Sequence, residues 1–234
     1  MGKIHGLGNH SVTGKIGAFV YAKGLGGETV VRNYTAQVKN PNTLRQQNSR
    51  NRLAFASQFA AALATVIGVG YAKAAAGAKM YARNIFVKDF MPLFTIAGGT
   101  PEVSYDEVKV SKGYGVVNGG IFGSATSSQS GKVVVPVSAL PEVVEADGGE
   151  WGVVAVVYNP DLNQSVMAQA VGSATTTNGI TINVPADWTG MQGYVYAFFK
   201  WIPGTGNEIA TTTQPWKYPS TTGDTVYAGT VNIA

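Results

Sequence analysis

The residues that could do chemistry are few. His5 and His10 are the only histidines. They sit in a glycine-rich start, MGKIHGLGNHSVTG, with no acid or cysteine beside them, and a metal centre needs three or four converging donors. The chain has no cysteine, which excludes disulfides and thiolate sites. No G-x-S-x-G nucleophile elbow occurs. Gly24-Leu25-Gly26-Gly27 lacks the longer spacing and the Lys-Ser/Thr pair of a phosphate loop. It reads as a turn. Glu142, Glu145, Asp147 and Glu150 gather in PEVVEADGGEW without the ligand spacing of a calcium loop. That stretch reads as an exposed acidic loop, the counterpart of basic charge elsewhere. These features point away from an enzyme and require no cofactor or metal.

The remaining concentration of polar chemistry is VKNPNTLRQQNSRNRLAFASQFAAAL, from Val38 to Leu63. Between Val31 and Arg52 there is no acid at all. A solvated helix normally alternates Glu with Lys or Arg, because such pairs four apart attract. The candidate interface or nucleic-acid-binding residues are therefore Arg32, Lys39, Arg45, Gln46, Asn48, Arg50 and Arg52. Arg45 and Arg52, seven apart, share a helix face. Asn and Gln can bond a neighbour's backbone, and Arg can grip carboxylates or phosphates bidentately.

Thr43 followed by Gln46 matches a capping box, which places the helix start there. Phe55, Phe59, Leu63 and Ile67 recur every fourth residue and form one apolar stripe. Gly68 to Gly70 is expected to end this helix. A second, through Tyr71, Ala75, Ala78, Ala82 and Ile85, completes an αα-hairpin. Upstream, Gly14 to Arg32 reads as a β-hairpin with strands at Ile16–Tyr21 and Thr29–Arg32 and a turn over Lys23–Gly27.

From about Val103 the text becomes all-β. EVKVSKG, KVVVPV, WGVVAVVY, QSVMAQAV, GITINV, GYVYAFFKW, NEIATTTQ and TVYAGTVNI are short runs separated by turn residues. This predicts an immunoglobulin-like sandwich. The expected fold class is α+β: a basic hairpin and two-helix region over 1–99, then a β-sandwich over 100–234. Pro92 and Gly98-Gly99 mark the boundary.

Charge divides with the fold. Met1 to Met91 holds twelve Lys and Arg against two acids, net +10; Pro92 to Ala234 holds five against eleven, net −6. Charged residues are only 13% of the chain, against about a quarter in typical soluble domains. A basic half in one copy can meet the acidic half of the next, a heterologous contact that propagates into rings or lattices. No run is long and apolar enough for a membrane span, and no signal-peptide pattern opens the chain.

Gly14-Lys15-x-Gly17, a short hairpin ending in Val31-Arg32, Asn40-Pro41-x-Thr43 with Gln46 or Gln47 and Arg50 or Arg52, and later Tyr158-Asn159-Pro160 resemble an uncharacterised family of Bacteroidota and their phages (domain of unknown function 6266). The likeness covers most of the chain. Leu44-Arg45 departs from it where a Pro-Ala-like pair is expected. The resemblance implies a phage or prophage context and carries over no functional residue. The expectation is thus a non-enzymatic structural component of a phage-like particle, made in the host cytoplasm and located in the virion. Its partners would be copies of itself and other virion proteins. The alternatives are a nucleic-acid-binding protein using the Arg/Asn/Gln segment, or a β-domain that binds a glycan or receptor through an exposed Trp188, Trp201 or Trp216.

Overall fold

The computed structural model describes residues 2–4, 13–24, 29–36, 42–97, 100–113, 121–141, 150–171, 179–202 and 222–234. It is a mixed α+β chain that divides into two compact units, 1–47 and 48–234.

The first unit is a small antiparallel sheet of β1 (Gly2–Ile4), β2 (Gly14–Ile16), β3 (Phe19–Lys23) and β4 (Thr29–Asn33), in the order β1-β4-β3-β2. The sequence suggested one strand through Ile16 and Phe19. Instead these two residues face each other across a tight turn, because Gly17 takes φ +59°. A glycine at the first central position of a two-residue hairpin loop matches the right-handed twist of the strands it joins. Lys15 lies 3.6 Å from the centre of the Tyr34 ring. No residue of 13–24, 29–36 or 42–47 is buried.

The helices follow as α1 (Leu44–Ala62), α2 (Ala64–Gly70), α3 (Ala72–Ala78) and α4 (Ala82–Phe90). The division between units falls within α1, after Gln47. The expected αα-hairpin is thereby corrected to four segments. The first break comes at Leu63, where α1 and α2 meet at an 82° bend. The apolar stripe survives the bend: Phe59, Leu63 and Ile67 are all buried. Lys79, at φ +50°, ends α3 in a left-handed cap, so Ala78 and Ala82 lie on different helices. Among the described residues no single helix is long and apolar enough to cross a membrane.

A hairpin of β5 (Phe94–Ala97) and β6 (Thr100–Val103) leads to β7 (Ile121–Phe122), β8 (Thr126–Gln129), β9 (Lys132–Val135) and β10 (Val137–Ala139). KVVVPV is two strands, because Pro136 offers no N–H to continue the ladder; beyond it, β10 pairs with β7. EVKVSKG is not a strand. Val108 and Val110 are buried, so its alternation is real, but the chain there is tied by side chains instead of a ladder.

The second unit is organised by β11 (Glu150–Asn159), β12 (Gln164–Val171), β14 (Gln192–Ile202) and β15 (Val226–Asn232), paired antiparallel as β12-β11-β14-β15. A second sheet, β13 (Ile180–Asn183) with β9 and β8, covers one face. Val153, Ala155, Val157, Val195, Ala197 and Phe199 point toward it. Val154, Val156, Tyr158, Tyr196 and Phe198 point the other way, into a core shared with Phe59, Ile67, Phe86 and Phe90 of the helices. The central strands are therefore buried on both faces, which is why WGVVAVVY and AFFKW read as nearly continuous apolar runs.

A candidate interaction surface

Thr43 and Gln46 form the expected capping box: Thr43 N donates to Gln46 Oε1 at 3.3 Å, and Gln46 N to Thr43 Oγ1 at 3.4 Å. Gln47 Nε2 donates to the Asn42 carbonyl at 3.0 Å. These bonds satisfy amides and carbonyls that the helix start would leave unpaired. They account for Gln46 as a local capping residue.

Beyond the cap, no residue from Leu44 to Ala54 is buried. Arg45, Asn48 and Arg50 are exposed on this stretch, and so is Leu44, at 73%. Arg32 is exposed on β4 of the small sheet, where it pairs with Val20. Lys39 lies outside the described residues. Arg52 differs from the rest. Half-buried, it donates from Nη2 to the Met91 carbonyl at 2.8 Å, and its guanidinium carbon sits 5.7 Å from the centre of the Phe94 ring. It ties α1 to the end of α4, a role invisible in a pattern that only placed it seven residues from Arg45.

α1 opens with no acid in its first turn. Arg45 stands there instead. A helix N-terminus carries partial positive charge and favours Asp or Glu, so Arg45 opposes the helix dipole.

The tryptophans offer no exposed platform among the described residues. Trp151, Trp188 and Trp201 are buried against the second sheet, and Trp216 lies outside those residues. Glu142, Glu145 and Asp147 also lie outside them, as do His5 and His10; Glu150 is exposed. A cleft of about 690 Å³ opens between α4 and the 107–113 segment, where Lys112 Nζ meets Asp89 Oδ2 at 2.9 Å. Its charged lining mixes both signs, with Lys88, Lys109 and Lys112 against Asp89, Glu107 and Asp224.

Sequence reasoning did not foresee the contacts that join the tyrosines. Tyr105 stacks on Tyr194 with ring centres 4.0 Å apart, and Tyr196 donates its hydroxyl to the Tyr105 carbonyl at 2.8 Å. Burial pushes the Tyr105 phenol up to about 12, helped by Tyr194 and Asp161. Burial likewise raises Tyr71, Tyr158 and Tyr196. A phenol whose folded pKa lies above its unfolded value of about 10 lends stability that is intact below pH 10. That stability is lost as pH rises toward and through the folded values. The protein is expected to unfold steeply above about pH 10, with the tyrosinate absorbance of the buried phenols appearing together with loss of ellipticity. Ionisation of Tyr71, Tyr158 and Tyr196 while ellipticity is intact would contradict it.

Tyr158-Asn159-Pro160 has a structural role. Asn159 is fully buried, and its Oδ1 accepts from Asp161 N at 2.9 Å and Leu162 N at 3.2 Å. It fixes the turn between β11 and β12.

The architecture is thus a small β-sheet in one unit and a helix-covered double sheet in the other. The chain belongs to the family of unknown function (DUF6266), whose sequence profile matches residues 11–213. No curated protein and no solved structure matches it.

Proposed function

We propose that this protein is a non-enzymatic structural component of a phage or phage-like particle, capsid-associated, connector or tail, which assembles through its basic N-terminal segment. One observation carries the reading. Neither the strands β2 to β4 nor the stretch from Leu44 to Ala54 contains a buried residue, although Ile16, Phe19 and Tyr34 are 54%, 45% and 45% exposed. Small sheets without an apolar face packed on something are marginal in water, so this segment is completed by another chain. The unit 1–47 carries six basic residues against Glu28, and the rest of the chain eleven against twelve acids. That imbalance favours an acidic protein surface, including that of another copy. The facing sheets β8-β9-β13 and β12-β11-β14-β15 are read as an immunoglobulin-like sandwich serving as the rigid body of the subunit.

The test is the pair Arg45→Glu and Arg50→Glu, followed by light-scattering mass and absorbance ratio at low and high salt. Because Glu suits a helix N-terminus, Arg45→Glu should leave melting unchanged or raise it by up to about 1 kcal/mol of stability. The salt-labile multimers of the wild type should nonetheless be lost in the double variant. A wild type that is monomeric and carries nucleic acid, stripped by salt, would replace this reading with nucleic-acid binding. That alternative draws on the exposed Arg32, Arg45 and Arg50.

A further inference from the structure

The helices cover only part of the sheet face on which they pack. Val156, Tyr158 and Tyr196 are buried against them. Tyr194 near the start of β14 and Tyr227 on β15 are half-buried, and Thr230, opposite Tyr194 across the ladder, is exposed. Tyr105, on the short helix Tyr105–Glu107, lies flat against Tyr194, with ring centres 4.0 Å apart and an interplanar angle of 22°. Tyr105 is itself half-buried, so the stack shows part of its surface to solvent.

Two acids border it. Asp106 follows Tyr105 and is exposed. Asp161 is exposed in the turn between β11 and β12, which is pinned beside the rings: Tyr158, whose ring centre is 6.0 Å from that of Tyr105, donates its hydroxyl to Asn163 Oδ1 at 3.0 Å. Among the described residues neither carboxylate has an ion-pair partner. Burial, a neighbouring tyrosine and Asp161 raise the phenols of both Tyr105 and Tyr194, and no cation opposes them. An aromatic face beside a carboxylate suits a guanidinium, which can lie on the ring while its N–H groups reach the oxygens. The same molecule's Arg50 does not supply it. Phe59 of α1 meets the rings of Tyr105 and Tyr158. Arg50 stands nine residues before Phe59, about 14 Å along the helix axis and half a turn around it, so it points away from the stack.

We propose that the Tyr105–Tyr194 stack, with Asp106 and Asp161, is the surface that receives the basic segment of a second copy, Arg45 and Arg50 of that copy lying against the rings and carboxylates. This rests on the assembly through the basic segment proposed above and names its other half. Charge complementarity selects the occupant. The stretch from Val31 to Arg52 holds no acid and exposes Arg32, Arg45 and Arg50, whereas the stack is flanked by unpaired acids. Segment and stack are different surfaces, so the contact is heterologous, and every copy added leaves one of each open for the next.

Light-scattering mass at low salt, on variants alone and mixed, tests it. Asp106→Lys/Asp161→Lys reverses the patch and keeps the segment; Arg45→Glu/Arg50→Glu does the opposite. Each alone should lose the salt-labile multimers, and the patch variant should melt as wild type, since both replaced side chains are exposed. Mixed in equal amounts the two should associate again, because an intact segment then meets an intact patch and the reversed pair is complementary too. Added salt should dissolve the mixed complex. Glu150→Lys/Asp187→Lys makes the same change of charge at exposed acids outside the patch and should assemble as wild type. A patch variant that keeps its multimers, a mixture that stays apart, or a control variant that fails like the patch variant would overturn the proposal and leave assembly through the basic segment standing. Multimers that persist in Arg45→Glu/Arg50→Glu would overturn the basic-segment reading itself, and the patch with it.

Discussion

Phe59→Ala is expected to cost about 3–5 kcal/mol of stability, the usual range for truncating a buried aromatic. The site is unfavourable for relaxation. Phe59 is 1% exposed and stacks on Phe90 at 4.3 Å between ring centres, with interplanar angle 14°. It also meets Phe86 at 5.9 Å and presents its edge to Tyr158 of β11 at 4.7 Å and 78°. The surrounding rings are themselves held: Phe90 stacks on Phe94, and the Tyr158 hydroxyl donates to Asn163 Oδ1. Rigid neighbours close poorly over a void, so the cavity penalty adds to the lost transfer energy. Phe59 also joins the helices to the central sheet. Helical ellipticity and the emission of Trp151, Trp188 and Trp201, which lie on the opposite face of that sheet, should therefore shift to lower denaturant together. If the tryptophan transition stayed in place while the helical one moved, helices and sheets would be separate folding units and the shared core would carry no cooperativity.

That junction was the part of the fold least legible in the sequence. The helix start was readable, because Thr43 and Gln46 signal locally through their own side chains. So were β11 to β15, because Val, Tyr and Phe runs between Gly, Asn and Pro are short-range signals. What covers a strand face is not local. WGVVAVVY is apolar on both faces, and a sequence gives no means of saying that one face meets helices and the other a sheet. The same limit applies to breaks. Nothing in Ala60–Ala64 announces the 82° bend at Leu63, since alanine and leucine favour uninterrupted helix. Phe59, Leu63 and Ile67 turn into one core on both sides of it. At the candidate surface the types of residue were legible and their engagement was not. Arg45 and Arg52 look equivalent at a spacing of seven, yet Arg45 is exposed while Arg52 is half-buried and bonds to a carbonyl 39 positions away.

Gly68 and Gly70 look equivalent as well, two glycines expected to break a helix, and they should respond to alanine in opposite directions. Gly70 is buried at the end of α2. A Cβ there would collide with the Val110 carbonyl oxygen and lie 2.7 Å from Ser111 Cα. Its own carbonyl accepts from Lys112 N at 3.0 Å, Ser111 Oγ at 3.2 Å and Thr222 Oγ1 at 3.4 Å. Ser111 cannot retreat easily, because its N–H is held by Thr225 Oγ1 at 2.6 Å and its one hydroxyl proton is shared between the Gly70 carbonyl and the nearer Gly223 carbonyl, at 2.7 Å. The obstacle is backbone on both sides, so relief requires opening a buried polar seam and leaving its members unpaired. Gly70→Ala should cost about 3 kcal/mol or more. Gly68 has no heavy atom within 4 Å of an added Cβ and keeps helical neighbours on both sides. There alanine only restores helix propensity, a gain of about 0.5–1 kcal/mol. Denaturation midpoints of the two variants, measured side by side, separate the explanations. If both glycines were merely helix breakers, both alanines would stabilise; a fall confined to Gly70→Ala identifies it as the point where α2 and the 108–113 segment touch backbone to backbone.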